Sequence, residues 1–422
     1  MRLKPVRLWF VLMALSGSWL AAAGQQPQLA PGSLDLTFGS DGWSIVDFDT
    51  LGDEPFGLGV LADGSILVGG EVTTRATGSG DFGILKLTAA GRPDPAFAAK
   101  GMAALDFDRS SGQVGRDLHV DAQGRIVLPG VHLDALAATR VLPSGRVDDT
   151  FGSNGLVTAA DGTTQIAYAG AIDPGGRVAV IGQSDLTLAV AVFDAAGRRA
   201  ADFGRNGLAV TPIAGFDEAV AQEVVFLPDG KLLVAGFIGG PATNAMLAVR
   251  FNRDGTLDRT FGRGAGYVVG TYGQLHEAQA LAVLPDGKFL LAGLALSGRT
   301  KGFLVARHLA DGTLDTSFGT KGYRFSTLMT EAHDIEVAPD GSFYVAGAVE
   351  NLGRSAIAVA KQRPDGTMDA AFSGTGVAVF PSGRNHGVAR RIAFHGPNGF
   401  VLAGSILAEG GHADFAVVRV RR

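Results

Sequence analysis

Cysteine is absent from this 422-residue chain, and that removes several chemistries at once. No disulfide can brace the fold, no thiol can serve as a nucleophile, and no lipid can be attached through an N-terminal cysteine. Charge is scarce as well, at 18% of residues with a net of −5 and no basic run. A nucleic-acid partner needs a concentrated cationic surface, so that class is set aside. Tryptophan and tyrosine are few, at 3 and 5. Because Trp9 and Trp19 precede residue 24, a sugar-stacking site would have Trp43 and little else to build on. The chain also lacks a phosphate-binding glycine loop followed by Lys-Ser/Thr, a Gly-x-Ser-x-Gly elbow and an Asp-x-Asp-x-Asp-Gly calcium loop. Beyond the N-terminus no run is apolar for the ~20 residues that a membrane span needs.

The N-terminus reads as an export signal. Arg2, Lys4 and Arg7 form a positive start, Leu8–Leu20 is apolar, and Ala21-Ala22-Ala23 supplies the small residues that a signal peptidase requires. The expected division is a signal peptide over residues 1–23, a short linker over 24–31 and one folded unit over 32–422, exported to the periplasm or beyond the cell. Hydrophobic residues make up 46% of the chain and glycine contributes 62 residues without a collagen period. That combination describes many short strands joined by many tight turns.

The chain repeats itself. Gly-x-x-Asp-x-x-Phe-Gly recurs with its phenylalanine at Phe38, Phe97, Phe151, Phe203, Phe261, Phe318 and Phe372, spaced 52 to 59 residues apart. A second motif is an apolar run, a tight turn and a short apolar strand ending in glycine, as in Leu227-Pro228-Asp229-Gly230-Lys231-Leu232-Leu233-Val234-Ala235-Gly236. Asp-Gly between apolar strands is a hairpin signal, because glycine takes the positive φ that the turn demands. The closing glycine recurs as Gly70, Gly130, Gly182, Gly236, Gly293, Gly347 and Gly404. One repeat then holds four strands, near Val220–Leu227, Lys231–Gly236, Met246–Asn252 and Gly266–Tyr272, and no segment shows a helical period. Four antiparallel strands in each of seven repeats predict an all-β, seven-bladed β-propeller. A solenoid is the competing architecture, but neither end carries an atypical capping repeat.

These units, best seen in Leu34-Asp35-Leu36-Thr37-Phe38-Gly39 and Leu314-Asp315-Thr316-Ser317-Phe318-Gly319, resemble the delta-60 repeat family of secreted bacterial proteins. The resemblance spans the chain after residue 23 and implies the propeller fold. It implies no common activity, so it bears on architecture rather than on function.

The copies start and stop at different points of the repeat. The first strand after the signal, Trp43–Phe48, is the fourth of a unit, and the last, Phe415–Val420, is a third. The last blade is therefore expected to combine one N-terminal strand with three C-terminal strands, which removes the exposed terminal edges. A charge pattern agrees. Lys86, Arg140, Arg250, Arg307 and Lys361 each precede, by eight residues, Asp94, Asp148, Asp258, Asp315 and Asp369. Where the cation is replaced by Val192 the acid is replaced too, by Ala200. Joint loss is what an ion pair predicts, and ring closure then makes Asp35 and Arg419 partners. If exposed, each pair would contribute only ~0–1 kcal/mol, so register is its expected role.

Residues present in every copy read as scaffold, so a site is sought where the copies differ. The Asp-Gly turns should share one face, and longer connections such as Glu71–Asp81 and Leu294–Gly302 should share the other, which is the candidate binding face. Eight residues before each hairpin turn the copies read Phe56, Arg116, Tyr168, Gln222, Gln279, His333 and Arg390, the last uncertain by one. These are the candidate ligand-binding residues at the channel mouth, with Glu54, Asp117, Glu223, Glu277, Glu331 and Asp334 as charged neighbours. Glu331, His333 and Asp334, with His276 and Glu277 one blade away, are metal-ligand types without ligand spacing, so no metal, cofactor or catalytic residue is assigned. The expected protein is a monomeric, non-catalytic binding or scaffold propeller without a membrane span. It would meet a protein or small polar ligand on its variable face. A hydrolase or lyase, and a small-ligand or carbohydrate sensor, both at the channel mouth, stay open as alternatives.

Overall fold

The computed structural model describes residues 30–48, 52–73, 80–107, 113–239, 244–270, 272, 275–351, 353–383, 386–407 and 411–422. They form seven antiparallel blades around an axis. The innermost strands, in chain order, are Asp53–Val60, a broken pair Gln113–Gly115 and His119–Val120, Gln165–Ile172, Glu218–Phe226, Leu275–Val283, Glu331–Val337 and Gly387–Phe394. These define blades 1 to 7. Blade 4 continues with Leu232–Gly239, Ala245–Phe251 and Tyr267–Gly270, within three residues of the sequence expectation at every end. One short 3-10 turn, Gly262–Gly264, is the only helical element among the described residues.

Each blade is covered on both faces by its neighbours, which is why its middle strands are continuously apolar rather than alternating. Val178–Ser184 and Thr187–Phe193 in blade 3 show this, with nearly every residue buried. The described core divides into seven apolar clusters, one at each blade interface. Antiparallel strands alternate in direction, so the turns after the first and third strands of each blade share one face. The turn glycines Gly230 and Gly287 take φ of 79° and 81° there, as the hairpin reading requires. The second-to-third connections and the links between blades share the opposite face. One connection is shorter than expected, because Phe289–Ser297 and Thr300–His308 extend until only Gly298 and Arg299 separate them. For Glu71–Asp81, residues 74–79 lie outside the described residues.

The ring closes as predicted. Trp43–Val46 pairs with Ala413–Arg421, which pairs with Gly399–Leu407 and then Gly387–Phe394. All six ion pairs form: Lys86–Asp94 at 2.9 Å, Arg140–Asp148 at 2.7 Å, Arg250–Asp258 at 2.6 Å, Arg307–Asp315 at 2.9 Å, Lys361–Asp369 at 3.1 Å and the closing Arg419–Asp35 at 2.9 Å. In blade 3, Val192 and Ala200 keep the backbone contact of the pair, Ala200 N–H to the Val192 carbonyl at 2.9 Å, and fill the space with apolar atoms.

The pairs are less exposed than the sequence reading assumed, and they do more than set register. Arg140 lies 4.5 Å from the Phe151 ring centroid and donates from Nη1 to the Ala195 carbonyl of the next blade at 2.6 Å. Arg250, Arg307 and Arg419 repeat the arrangement, reaching the Ala310, Pro364 and Ala89 carbonyls at 2.7, 2.9 and 2.8 Å. The repeat phenylalanine packs against a glycine of the following blade, Phe38 on Gly91 and Phe261 on Gly312, where a Cβ would strike the ring. Cation, acid, phenylalanine and glycine thus form one interblade clasp.

Candidate functional site

The clasps hold the outer rim; the axis is shaped by a different repeated feature. In six blades the pairing of the inner strand slips by one residue, in blade 4 between Ala221 and Glu223 and in blade 6 between Ala332 and Asp334. In blade 2 the inner strand breaks at the equivalent place, between Gly115 and His119. The facing residue is the glycine that closes the second motif. A Cβ on Gly236 would collide with the Val220 carbonyl oxygen, and one on Gly347 with that of Glu331, so only glycine allows the strands this close. A β-bulge re-aims the extra side chain, and here it turns one residue per blade toward the axis.

Those residues are Phe56, Arg116, Tyr168, Gln222, Gln279, His333 and Arg390. Together with Arg391 they line one cavity of about 320 Å³. The structure therefore brings together all seven sequence-predicted positions, on the face that carries the blade-to-blade links. Arg391, the neighbour left open by the ambiguous seventh turn, joins them at the cavity floor. Larger clefts lie on the outer rim, such as one of about 660 Å³ lined by Trp43, Ile45, Arg92 and Pro381. Similar rim clefts recur between other blades and are lined largely by repeat residues such as Gly39 and Gly152, so they follow from blade spacing.

The cavity wall is asymmetric. Arg116 and Arg390 lie on either side of Phe56 in the ring, their guanidinium carbons 4.5 and 5.6 Å from its centroid. Glu54 Oε2 is 3.7 Å from Arg390, and burial pushes the Glu71 carboxyl up despite the nearby Arg116. Burial likewise pulls the Arg116 guanidinium below its ordinary value, with Glu71 opposing. The opposite wall is neutral, built from Gln222, Gln279 and Tyr168, whose hydroxyl burial pushes up. Between the walls, His333 Nδ1 is hydrogen-bonded to Gln279 Oε1 and its Nε2 lies 3.0 Å from Glu331 Oε2. Burial holds His333 below the usual histidine range, whereas the hydrogen bond from His333 draws Glu331 down.

One layer deeper the charged residues serve the frame. Asp334 accepts the backbone N–H groups of Ile335 and, across the blade boundary, Ile392, each at 2.8 Å. Asp117, at the same repeat position in blade 2, accepts from Leu118 at 2.8 Å and from Gly170 of blade 3 at 3.3 Å. His119 sits 3.1 Å from Asp117; burial pulls its pKa down, but the charge and hydrogen bond of Asp117, with Glu223 and the Gly170 carbonyl, together raise it. Arg391 stands 3.6 Å from Glu223 and 3.9 Å from Asp117. Burial, with Asp117 and Asp334 nearby, pushes Glu223 up to about 8 in spite of Arg391. Of the metal-ligand types noted in the sequence, Glu331 and His333 touch, but the others do not join them. His276 is buried beside Tyr272, 5.9 Å between ring centroids, and among the described residues no three His, Asp or Glu side chains group as metal ligands.

Sequence reading left Arg391 open beside Arg390 and missed His119 and Glu71. The first had a signal: the position after the bulge reads Gly57, Asp117, Ala169, Glu223, Ala280, Asp334 and Arg391, a charged set among small residues. Glu71 had none, because it sits on a second strand, outside the inner-strand positions that the repeat aligns.

Four stretches, residues 61–97, 227–261, 284–318 and 338–372, match the family model described as "Domain of unknown function (DUF5122) beta-propeller". No curated protein matches the chain in sequence. Among solved structures, a protein of unknown function from Dyadobacter fermentans aligns with a TM-score of 0.51 at 11% identity, over 90% of this chain and 98% of that one. Drosophila Semaphorin 2a aligns with a TM-score of 0.51 at 9% identity, over 89% of this chain and 75% of its own. A catalytically inactive virginiamycin B lyase from Staphylococcus aureus, solved with quinupristin, reaches 0.48 at 9% identity over 90% and 98%. The family match supports a β-propeller repeat family, and the structural likenesses establish the fold alone.

Proposed function

We propose that the protein is an exported, non-catalytic β-propeller of the delta-60 repeat family that binds a small polar ligand at its channel mouth, with the surrounding variable face as a binding surface. One observation carries this reading. The positions where the repeat stops dictating residue type are the positions that converge on one cavity. Packing explains the repeated glycine behind each bulge; it does not explain why the bulged side chains are large, mostly polar and different.

A binding role is favoured over catalysis by His333. Its two ring nitrogens contact Gln279 and Glu331, so neighbouring side chains of the wall already occupy the imidazole. Export rests on the Arg2-Lys4-Arg7 start, the Leu8–Leu20 run and the alanines at 21–23. Family membership rests on the Leu-Asp-x-(Thr/Ser)-Phe-Gly units.

The test is thermal unfolding of the purified protein against sugars, organic acids, nucleotides and metals, with and without EDTA. A ligand of the native state raises the midpoint by mass action. The expected shift disappears in Gln279→Trp, which fills the cavity with a side chain the bulge can carry. A shift that survives this variant places the ligand elsewhere, and a flat response across the library removes the small-ligand reading. Export is checked by the mass of the secreted chain, expected to begin at residue 24.

A further inference from the structure

We infer that the ligand at the channel mouth is a small hydroxylated carboxylate, gripped by Arg116, Arg390 and Arg391. The inference rests on the channel mouth being a ligand site and adds the chemical class. It starts from three guanidinium groups that meet at one cavity without adequate acceptors. Arg116 is held on the Phe56 ring at 4.5 Å, and among the described residues its side chain has no hydrogen bond and no ion pair. Arg390 buries its Nε without an acceptor, and Glu54, its nearest carboxylate, is at 3.7 Å. Arg391 has carboxylates at 3.6 and 3.9 Å, both beyond hydrogen-bond distance, and only a long 3.5 Å contact to the Arg390 carbonyl.

A guanidinium carries five N–H donors in a rigid fork. Leaving those donors unpaired out of bulk water costs more than an ordinary missing hydrogen bond. The complement of such a fork is a planar oxyanion accepting two parallel bonds. Phe56 holds the two wall arginines flat, so little side-chain freedom is left to lose on binding. The charge is that of a carboxylate rather than a phosphate. Glu54 and Glu71 stand beside the same arginines and offset much of their field, which one negative charge tolerates better than two.

Size and the far wall supply the rest. A cavity of about 320 Å³ equals about ten waters at ~30 Å³ each. That suits a ligand of roughly ten to thirteen non-hydrogen atoms. Gln222 and Gln279 present neutral amides opposite the arginines, and such groups pair with hydroxyls.

The experiment is calorimetric titration of the purified protein with D-glucuronate and L-tartrate, a cyclic and a linear hydroxy acid. D-glucuronamide, D-glucose and glucose 6-phosphate serve as comparisons. One or both acids are expected to bind one to one, with the neutral counterparts weaker by at least about tenfold, the loss of a charge-assisted hydrogen bond. Arg116→Gln should weaken the acid by about tenfold or more, and Arg116→Lys should not restore it, because the fork is gone. The same Arg116→Gln protein should melt close to the parent, since among the described residues Arg116 loses only its stack on Phe56; a drop as large as that of Arg250→Ala would make Arg116 part of the frame and overturn the assignment. Equal affinity for acid and amide, or tighter binding of glucose 6-phosphate, would also overturn it. If that binding is lost in Gln279→Trp, the channel-mouth reading survives the loss. No binding by any probe, with a flat melting screen, overturns both.

Discussion

Breaking the pair that closes the ring should open the molecule at one place before the rest unfolds. Arg419 donates to Asp35 at 2.9 Å, to Thr37 Oγ1 at 3.0 Å and to the Ala89 carbonyl of blade 1 at 2.8 Å, and lies 4.9 Å from the Phe38 centroid. Arg421 adds a second bond to Asp35 at 3.0 Å. The Arg419 and Asp35 side chains are 15% and 18% exposed, so the ~0–1 kcal/mol of a surface pair understates them. Hydrogen bonds to charged groups contribute roughly 1.5–3 kcal/mol each, and stacking a guanidinium on a ring roughly 0.5–2. Arg419→Ala is therefore expected to cost about 3 kcal/mol and Asp35→Ala about 2. The double variant should cost about 4, with the shortfall from the sum measuring the coupling.

The reporter is built in. A chain beginning at residue 24 has Trp43 as its only tryptophan, in the N-terminal strand that completes blade 7. In urea, the Arg419→Ala protein should lose its Trp43 signal before its far-UV circular dichroism, because that strand joins the last blade without a covalent link to it. Arg250→Ala, which breaks the same clasp inside the ring, should show coincident transitions. Additive energies within ~0.5 kcal/mol, or coincident transitions in both variants, would refute the reasoning.

Three further outcomes follow from the same geometry. Stability should rise from pH 8 towards pH 5 and fall below about pH 4. Glu223, pushed up to about 8 chiefly by burial, stabilises the fold most when protonated and loses that contribution as pH rises from its unfolded value to about 8. Asp315 is drawn down to about 2 by its bonds to Ser317, Lys288 and Arg307 against burial, so its contribution is present above its unfolded value and lost as pH falls to about 2. Melting curves across pH check this, and Glu223→Gln should flatten the upper limb. Gly347→Ala should destabilise by roughly 3 kcal/mol or more, as overpacking against backbone does. It should also abolish any ligand-induced shift, because the Cβ collides with the Glu331 carbonyl behind the bulge that presents His333. Val192→Arg should destabilise blade 3 by burying an unpaired charge, and adding Ala200→Asp should recover part of the loss, as chemical denaturation would report. If the double variant is no better than Val192→Arg alone, blade 3 does not share the geometry of the six charged clasps.

The ring was legible in the order of the amino acids. Seven copies of one motif, the glycine behind each inner strand, and the joint loss of cation and acid at Val192 and Ala200 are local and repeated, so one chain carries its own internal alignment. Strand order, closure and the partnership of Asp35 with Arg419 followed from that register. The channel-mouth positions were legible for the same reason: seven aligned sites at which residue type was free. Distance and burial across blades, by contrast, were set by the folded ring. Arg116 and Arg390 come from the second and the last blade and meet over Phe56 because closure makes blades 7 and 2 the two neighbours of blade 1. The repeat could not distinguish Arg390 from Arg391, because the bulge that separates wall from floor depends on pairing with Gly404. The four arginine pairs, read as surface contacts, proved to be interblade clasps, since their third partner is a carbonyl of the next blade and no spacing within one repeat records it.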